Sequence, residues 1–242
     1  MYQGQFVWTD LSSYDLGAAR SDYAALFGWS IERGGSYDMA RIAGQDVAAL
    51  FTMPAPLAKI DMPSFWMSYV ATGDLDGTVA KAMAQDGAIL EVAPQAFNGD
   101  ARIALIRDPA GAGFTLYEGP DIASPTGAAG QVMGRYHHSK DIQLIAAFYG
   151  DLFGWRFVPR ATTPWPVYDI VHPGGAVIAQ AEEVPPDVRG KFSYWMPSFG
   201  VASLEQAQAA LAERGGTALS ALGRTRALVA DRQGAHFIFE TL

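Results

Sequence analysis

The chain has 242 residues and no cysteine. That removes disulfides, thiolate metal ligands and cysteine nucleophiles together. Basic residues are also scarce. Seventeen Lys and Arg stand against 25 Asp and Glu, a formal charge of −8. Binding to phosphates needs clustered Lys and Arg, and no basic run or basic-aromatic patch is present, so no nucleic-acid partner is expected. No apolar run approaches the ~18 residues that span a bilayer. The first residues, MYQGQFVWTDL, offer neither a charged n-region nor a long apolar h-region. The expectation is a cytoplasmic protein with no membrane partner. GxGxxG, GxxxxGK[ST], HExxH and GxSxG are all missing, which leaves the nucleotide, zincin and hydrolase readings without support.

What is present is core material and a repeat. Half the residues are hydrophobic and 17% are charged, ample for a buried interior. Asp15 to Trp29, DLGAARSDYAALFGW, returns as Asp141 to Trp155, DIQLIAAFYGDLFGW. Asp, Tyr, Leu, Phe, Gly and Trp recur at a constant offset of 126 residues (15 to 141, 29 to 155). A period that long lies outside the range of solenoid repeats, so the repeated unit is a small domain. The division expected is 1–120 and 131–242, joined by a linker over 121–130 that is rich in small residues and proline.

Each half shows the same order of elements. Gln5 to Leu11 reads as a strand, and Asp15 caps a helix with Leu16, Ala19, Tyr23, Leu26 and Phe27 on one face and Gly28 as its C-cap. Tyr37–Ile42 and Val47–Phe51 read as a hairpin. Residues 52–63 read as a proline-containing loop, and Phe65–Ala71 as a strand. A second helix opens at Asp74, and Ala101–Arg107 with Phe114–Glu118 closes the half. The second half gives a strand to His138, a helix over Asp141–Phe153, a hairpin, and a polar loop over Glu182–Lys191. A further strand, a helix over Leu204–Arg214 and a closing hairpin follow. Trp66-Met67 pairs with Trp195-Met196, and Asp108-x-x-Gly with Asp231-x-x-Gly. The buried-aromatic reading places Tyr23, Trp29, Tyr149 and Trp155 in the core.

Trp8 to Leu11 before the helix, LFGW after it, and a closing DPxGxxFxLYE hairpin resemble the vicinal oxygen chelate superfamily, which contains glyoxalases, bleomycin-resistance proteins and extradiol dioxygenases. The motifs are similar to those of two-module bacterial glyoxalase-like proteins. The resemblance implies an α+β fold of tandem βαβββ modules, in which two curved mixed sheets enclose cavities. In the family's enzymes a divalent metal in that cavity chelates the substrate. Its ligands come from a position seven residues before the helix-capping Asp and another seven residues after the Asp of the closing turn. Here those positions hold Trp8, Thr115, Gly134 and Ile238. Only Thr115 could donate, and weakly, because such an ion needs imidazole or carboxylate donors. No metal at the family's position and no other cofactor are therefore expected.

Stepping by two along the strands from those positions gives the inward faces. They hold Trp8, Asp10, Thr115 and Tyr117 in the first half, and Tyr136, His138, His236, Ile238 and Glu240 in the second. His138, His236 and Glu240 could do acid-base work, make a displaced metal site, or simply be solvated strand ends. Asp10 could bind a substrate amine or hydroxyl, act as an acid, or make a structural hydrogen bond. His137 should face module packing or solvent. Trp165, between two prolines, is a candidate stacking or lid residue.

The function expected is binding of a small, aromatic or apolar molecule through Trp8, Thr115, Tyr117, Tyr136, Trp165 and Ile238. The alternative is an enzyme of the superfamily, a lyase, isomerase or hydroxylase-like protein, that uses Asp10, His138, His236 and Glu240 or a metal at displaced ligands. The assembly expected is a monomer with two paired modules or a homodimer.

Overall fold

The structure is a computed structural model that describes residues 3–35, 37–59, 61–122, 125–160 and 165–242. Residue 60 of the first loop, 123–124 of the linker and 161–164 before Trp165 lie outside the described residues. The chain makes four passes of strand, helix and three strands. The first is β1 (Phe6–Ser13), α1 (Leu16–Phe27), β2 (Ser30–Glu32), β3 (Tyr37–Ile42) and β4 (Gln45–Thr52). A short helix α2 (Ala55–Ala58) leads to the second: β5 (Phe65–Ala71), α3 (Leu75–Met83), β6 (Ile89–Phe97), β7 (Ala101–Arg107) and β8 (Gly113–Glu118). The third is β9 (Val132–Ser139), α4 (Ile142–Phe153), β10 (Arg156–Arg160), β11 (Val167–Val171) and β12 (Val177–Glu183). After α5 (Pro186–Arg189) comes the fourth: β13 (Tyr194–Val201), α6 (Leu204–Glu213), β14 (Thr217–Leu222), β15 (Arg226–Ala230) and β16 (His236–Thr241).

The strands form two eight-stranded mixed sheets, in the orders β2-β3-β4-β1-β5-β8-β7-β6 and β10-β11-β12-β9-β13-β16-β15-β14. Hairpins are antiparallel, while β1 runs parallel to β4, β5 to β8, β9 to β12 and β13 to β16. The tandem fold expected from the repeat is what the chain adopts, with two βαβββ passes in each half.

The repeated stretch works as its residues suggest. Asp15 accepts a hydrogen bond from the Ala18 amide at 2.9 Å, and Asp141 from the Leu144 amide at 3.1 Å. Gly28 and Gly154 end the helices at φ +70° and +71°, a left-handed conformation that glycine adopts without a Cβ penalty.

The cores do not follow the halves. One compact unit comprises Met1–Trp8, Ser68–Ala123 and Gly134–Trp195, and the other Thr9–Met67, Ser124–Met133 and Met196–Leu242. The core of the first unit joins Leu75 and Val79 of α3 and Phe114 of β8 to Ile145, Phe148 and Tyr149 of α4. Phe114 stands 5.5 Å from Tyr149, ring centre to ring centre. Trp155 packs in the same core and donates its indole N–H to Gly4 O at 2.9 Å. The core of the second unit joins Tyr23, Phe27 and Trp29 to Phe199, Phe237 and Phe239. Phe27 packs against Phe199 with ring centres 4.8 Å apart and planes tilted by 38°. Trp29 donates to Gly130 O at 2.8 Å, and a Cβ at Gly130 would sit 2.5 Å from the Phe27 carbonyl, so this linker position requires glycine. Each such ring contributes about 1.5–3 kcal/mol by leaving water.

Several elements depart from the sequence reading. β2, β6, β10 and β14 were not foreseen, and the two loops before β5 and β13 each contain a short helix. The polar loop expected over Glu182–Lys191 is in part buried. Glu182 and Glu183 extend β12, and Glu182, Val184 and Arg189 are buried.

Candidate functional site

In the first unit, parallel pairing sets Glu182 on β12 beside His138 on β9. Both side chains are 1% exposed, and His138 Nε2 lies 3.8 Å from Glu182 Oε2. That is within ion-pairing distance and beyond a direct hydrogen bond. The same oxygen accepts the Trp165 indole N–H at 2.8 Å. Two residues singled out from the sequence, His138 and Trp165, thus meet at Glu182, which the sequence reading missed because it ended β12 at Gln180. A buried carboxylate beside an imidazole can hold or move a proton. At the corresponding register positions the first half has Ser12 and Phe51 instead.

Tyr136, two residues before His138 on β9, is buried, as is Trp8. Thr115 and Tyr117 are buried on β8, with Thr115 opposite Tyr69. The Tyr117 hydroxyl donates to Pro120 O at 3.0 Å, and burial, then the charge of Asp121, raises its pKa.

In the second unit Asp10 is fully buried on β1 and accepts a hydrogen bond from the Tyr37 hydroxyl at 3.0 Å. Glu240 on β16 accepts one from Ser198 at 2.6 Å. Ile238, two residues earlier, is fully buried opposite Ser198. His236 opens β16, and burial lowers its pKa from the ordinary histidine value.

Each unit also holds a polar cluster inside its aromatic core. In the second unit the Tyr23 hydroxyl donates to Asp231 Oδ2 at 3.0 Å and accepts from the Trp66 indole at 3.1 Å. In the first unit Tyr149 donates to Asp108 Oδ2 at 3.0 Å and accepts from Trp195 at 2.6 Å. His137 is added there, its Nε2 2.7 Å from the same Asp108 oxygen. Its place in buried packing matches one of the two orientations expected. The clusters anchor the closing turns, because Asp108 Oδ1 and Asp231 Oδ1 also accept the Ala112 and Ala235 amides at 2.9 Å. Burial first, then the neighbouring carboxylate, raises both tyrosine pKa values well above normal. Burial likewise raises that of Asp231. These groups hold the fold through their bonds to one another and to the closing turns, while His137 Nδ1 is buried with no hydrogen-bond partner among the described residues.

The family's divalent metal does not fit the residues present. Trp8 and Ile238 are buried apolar side chains, Gly134 has none, and Thr115 could offer one hydroxyl. Among the described residues no three His, Asp or Glu side chains converge as a metal site.

Two family models match the chain: the Glyoxalase/Bleomycin resistance protein/Dioxygenase superfamily over residues 5–116, and a glyoxalase-like domain over 136–239. The CFP32 proteins of Mycobacterium bovis and Mycobacterium tuberculosis, whose name includes the word glyoxylase, are 31% identical over 97% of this chain and 94% of theirs. The anthracycline biosynthesis protein DnrV of Streptomyces peucetius is 30% identical over 53% of this chain and 54% of its own. The Mn(II)-bound glyoxalase of Novosphingobium aromaticivorans shares the fold with a TM-score of 0.65 at 13% identity, over 99% of this chain and 82% of that one. The chain belongs to the vicinal oxygen chelate superfamily, as a glyoxalase-like protein with two modules. No helix among the described residues is long and apolar enough to cross a membrane.

Proposed function

We propose that this glyoxalase-like chain binds a small aromatic or apolar molecule without the divalent metal of its family. The observation that carries the reading is the pair Trp8 and Ile238, buried apolar residues standing where the family has ligands. Tyr117, Tyr136 and Trp165 add aromatic faces and polar tips suited to a planar ligand. DnrV is named for anthracycline biosynthesis, and anthracyclines are polycyclic aromatic compounds, which agrees with that ligand class.

The test is a fluorescence titration of the purified protein with an anthracycline such as daunomycin, with and without EDTA. Saturable binding indifferent to EDTA and weakened about tenfold or more by Trp8→Ala is expected. Stoichiometric metal in the purified protein, with binding lost on its removal, would sink the reading.

A second reading is favoured by the His138–Glu182 pair. In it the protein is a metal-independent lyase or isomerase, and the pair exchanges a proton with the bound molecule. His138→Ala and Glu182→Gln should then abolish turnover while leaving the thermal transition near its native position. Turnover retained in both variants excludes those roles.

A further inference from the structure

A buried guanidinium needs compensation, because an isolated charge away from water is costly. Arg20, Arg102, Arg107, Arg160 and Arg232 all pair with carboxylates. Arg135 and Arg189 do not, although both are less than a tenth exposed; among the described residues neither has an Asp or Glu within 4 Å. Arg135 is a strand residue in packed surroundings. It reaches the Gly134 and Trp8 carbonyls at 3.4 and 3.5 Å, lies over the Phe6 ring, and has its pKa lowered to about 9 by burial.

Arg189 stands differently. It ends α5, in the segment that leaves the sheet after Glu183, and donates through Nη1 to Phe192 O at 2.8 Å. Its Nε has no partner among the described residues, and neither has the hydroxyl of Ser193, which is 4% exposed. Tyr194 follows directly. Burial raises its hydroxyl pKa to about 12, and the Arg189 charge acts against that rise, so the two groups are electrostatic neighbours. Gly190 and Lys191 are exposed, so the segment reaches the surface. The Arg189 guanidinium and the Ser193 hydroxyl, neither paired with a carboxylate among the described residues, complement an anion, and the Tyr194 hydroxyl adjoins them in sequence.

The internal repeat supplies a comparison. In the first half α2 ends on Ala58 where α5 ends on Arg189. Ser64 stands where Ser193 does, and there Gln233 Oε1 lies 3.5 Å from the hydroxyl. Phe65 replaces Tyr194. The arrangement thus belongs to the second half alone and is not demanded by the fold.

We propose that Arg189, Ser193 and Tyr194 form an anion subsite that takes the carboxylate or phosphate group of a small molecule. The planar guanidinium can donate two parallel hydrogen bonds to such a group, and the hydroxyls can donate to its remaining lone pairs. The subsite goes beyond metal-free aromatic binding and does not depend on it.

The test uses the full chain at constant ionic strength, which keeps general screening fixed. Thermal melting and calorimetric titration are run with sodium benzoate, inorganic phosphate and neutral benzamide. Benzoate or phosphate should raise the melting temperature saturably, as a ligand of the folded state does, and benzamide should not. The anion that acts identifies the class. Arg189→Gln should weaken its binding about ten- to a hundredfold, with partial recovery in Arg189→Lys. No anion-dependent rise in the wild-type melting temperature up to tens of millimolar overturns the proposal, as does unchanged affinity in Arg189→Gln. If Arg189→Gln does not fold, Ser193→Ala and Tyr194→Phe decide, and wild-type affinity in both overturns it. Benzoate binding lost in Trp8→Ala but kept in Arg189→Gln would belong to the aromatic site and likewise overturn it.

Discussion

At the scale of single residues, the buried polar clusters carry the clearest consequences. Tyr149→Phe removes the hydroxyl that joins Asp108 to the Trp195 indole, leaving a buried donor and a carboxylate short of a partner. A loss of about 1–3 kcal/mol in urea denaturation is expected. The exposed Tyr14, whose hydroxyl bonds the Met62 carbonyl, should lose less as Tyr14→Phe. Equal losses would show that the core cluster adds nothing special. His236 gives a pH signature. Burial depresses its pKa, so the folded state disfavours the imidazolium. Its contribution is present above the unfolded value near 6.5 and is lost as the pH falls through the folded value. Denaturation midpoints measured from pH 8 down to pH 5 should therefore fall less steeply in His236→Gln than in the wild type. Parallel curves would contradict that assignment. Among the site residues, Trp8, Asp10 and His138 could be singled out by stepping along the strands from the positions that the family resemblance marks. Their partners Glu182 and Tyr37 could not, because cross-strand register depends on pairing that one strand's own sequence does not express.

At the scale of elements, what escaped the sequence reading has a common cause. β2, β6, β10 and β14 are the outermost strands of the two sheets. Their residues are mostly exposed or half-buried, and so they lack the alternating apolar pattern that marks a strand with one buried face. β6 even contains Pro94 and shifts register twice against β7, as an edge position allows. The capped helices lie at the other extreme, since a cap is a local signal. Asp141→Ala should cost about 0.5–2 kcal/mol in thermal or urea unfolding, while Asp141→Asn, which keeps an acceptor for the Leu144 amide, should cost much less. Similar losses in both would remove the capping explanation.

At the scale of the whole molecule, the two cores draw on both halves of the sequence. Phe114 and Asp108 of the first half meet Tyr149 of the second, and Phe27 and Tyr23 meet Phe199 and Asp231. A chain cut in the linker should give fragments 1–120 and 131–242 that each lack half of both cores. Neither should show a cooperative thermal transition alone, and mixing them should restore one. A native-like transition in an isolated fragment would show that a half folds without its counterpart. The duplication, the helix caps and the closing turns were legible in the sequence, because each depends on residue type at a local spacing, and the lack of metal-donating side chains at four positions was legible through the family that the motifs resemble. Only the tertiary structure decided that the cores run across the halves, that Glu182 joins His138 and Trp165, and that Arg189 is buried with no carboxylate paired to it among the described residues. Those facts are long-range juxtapositions, set by how strands register and helices pack, and no local pattern encodes them.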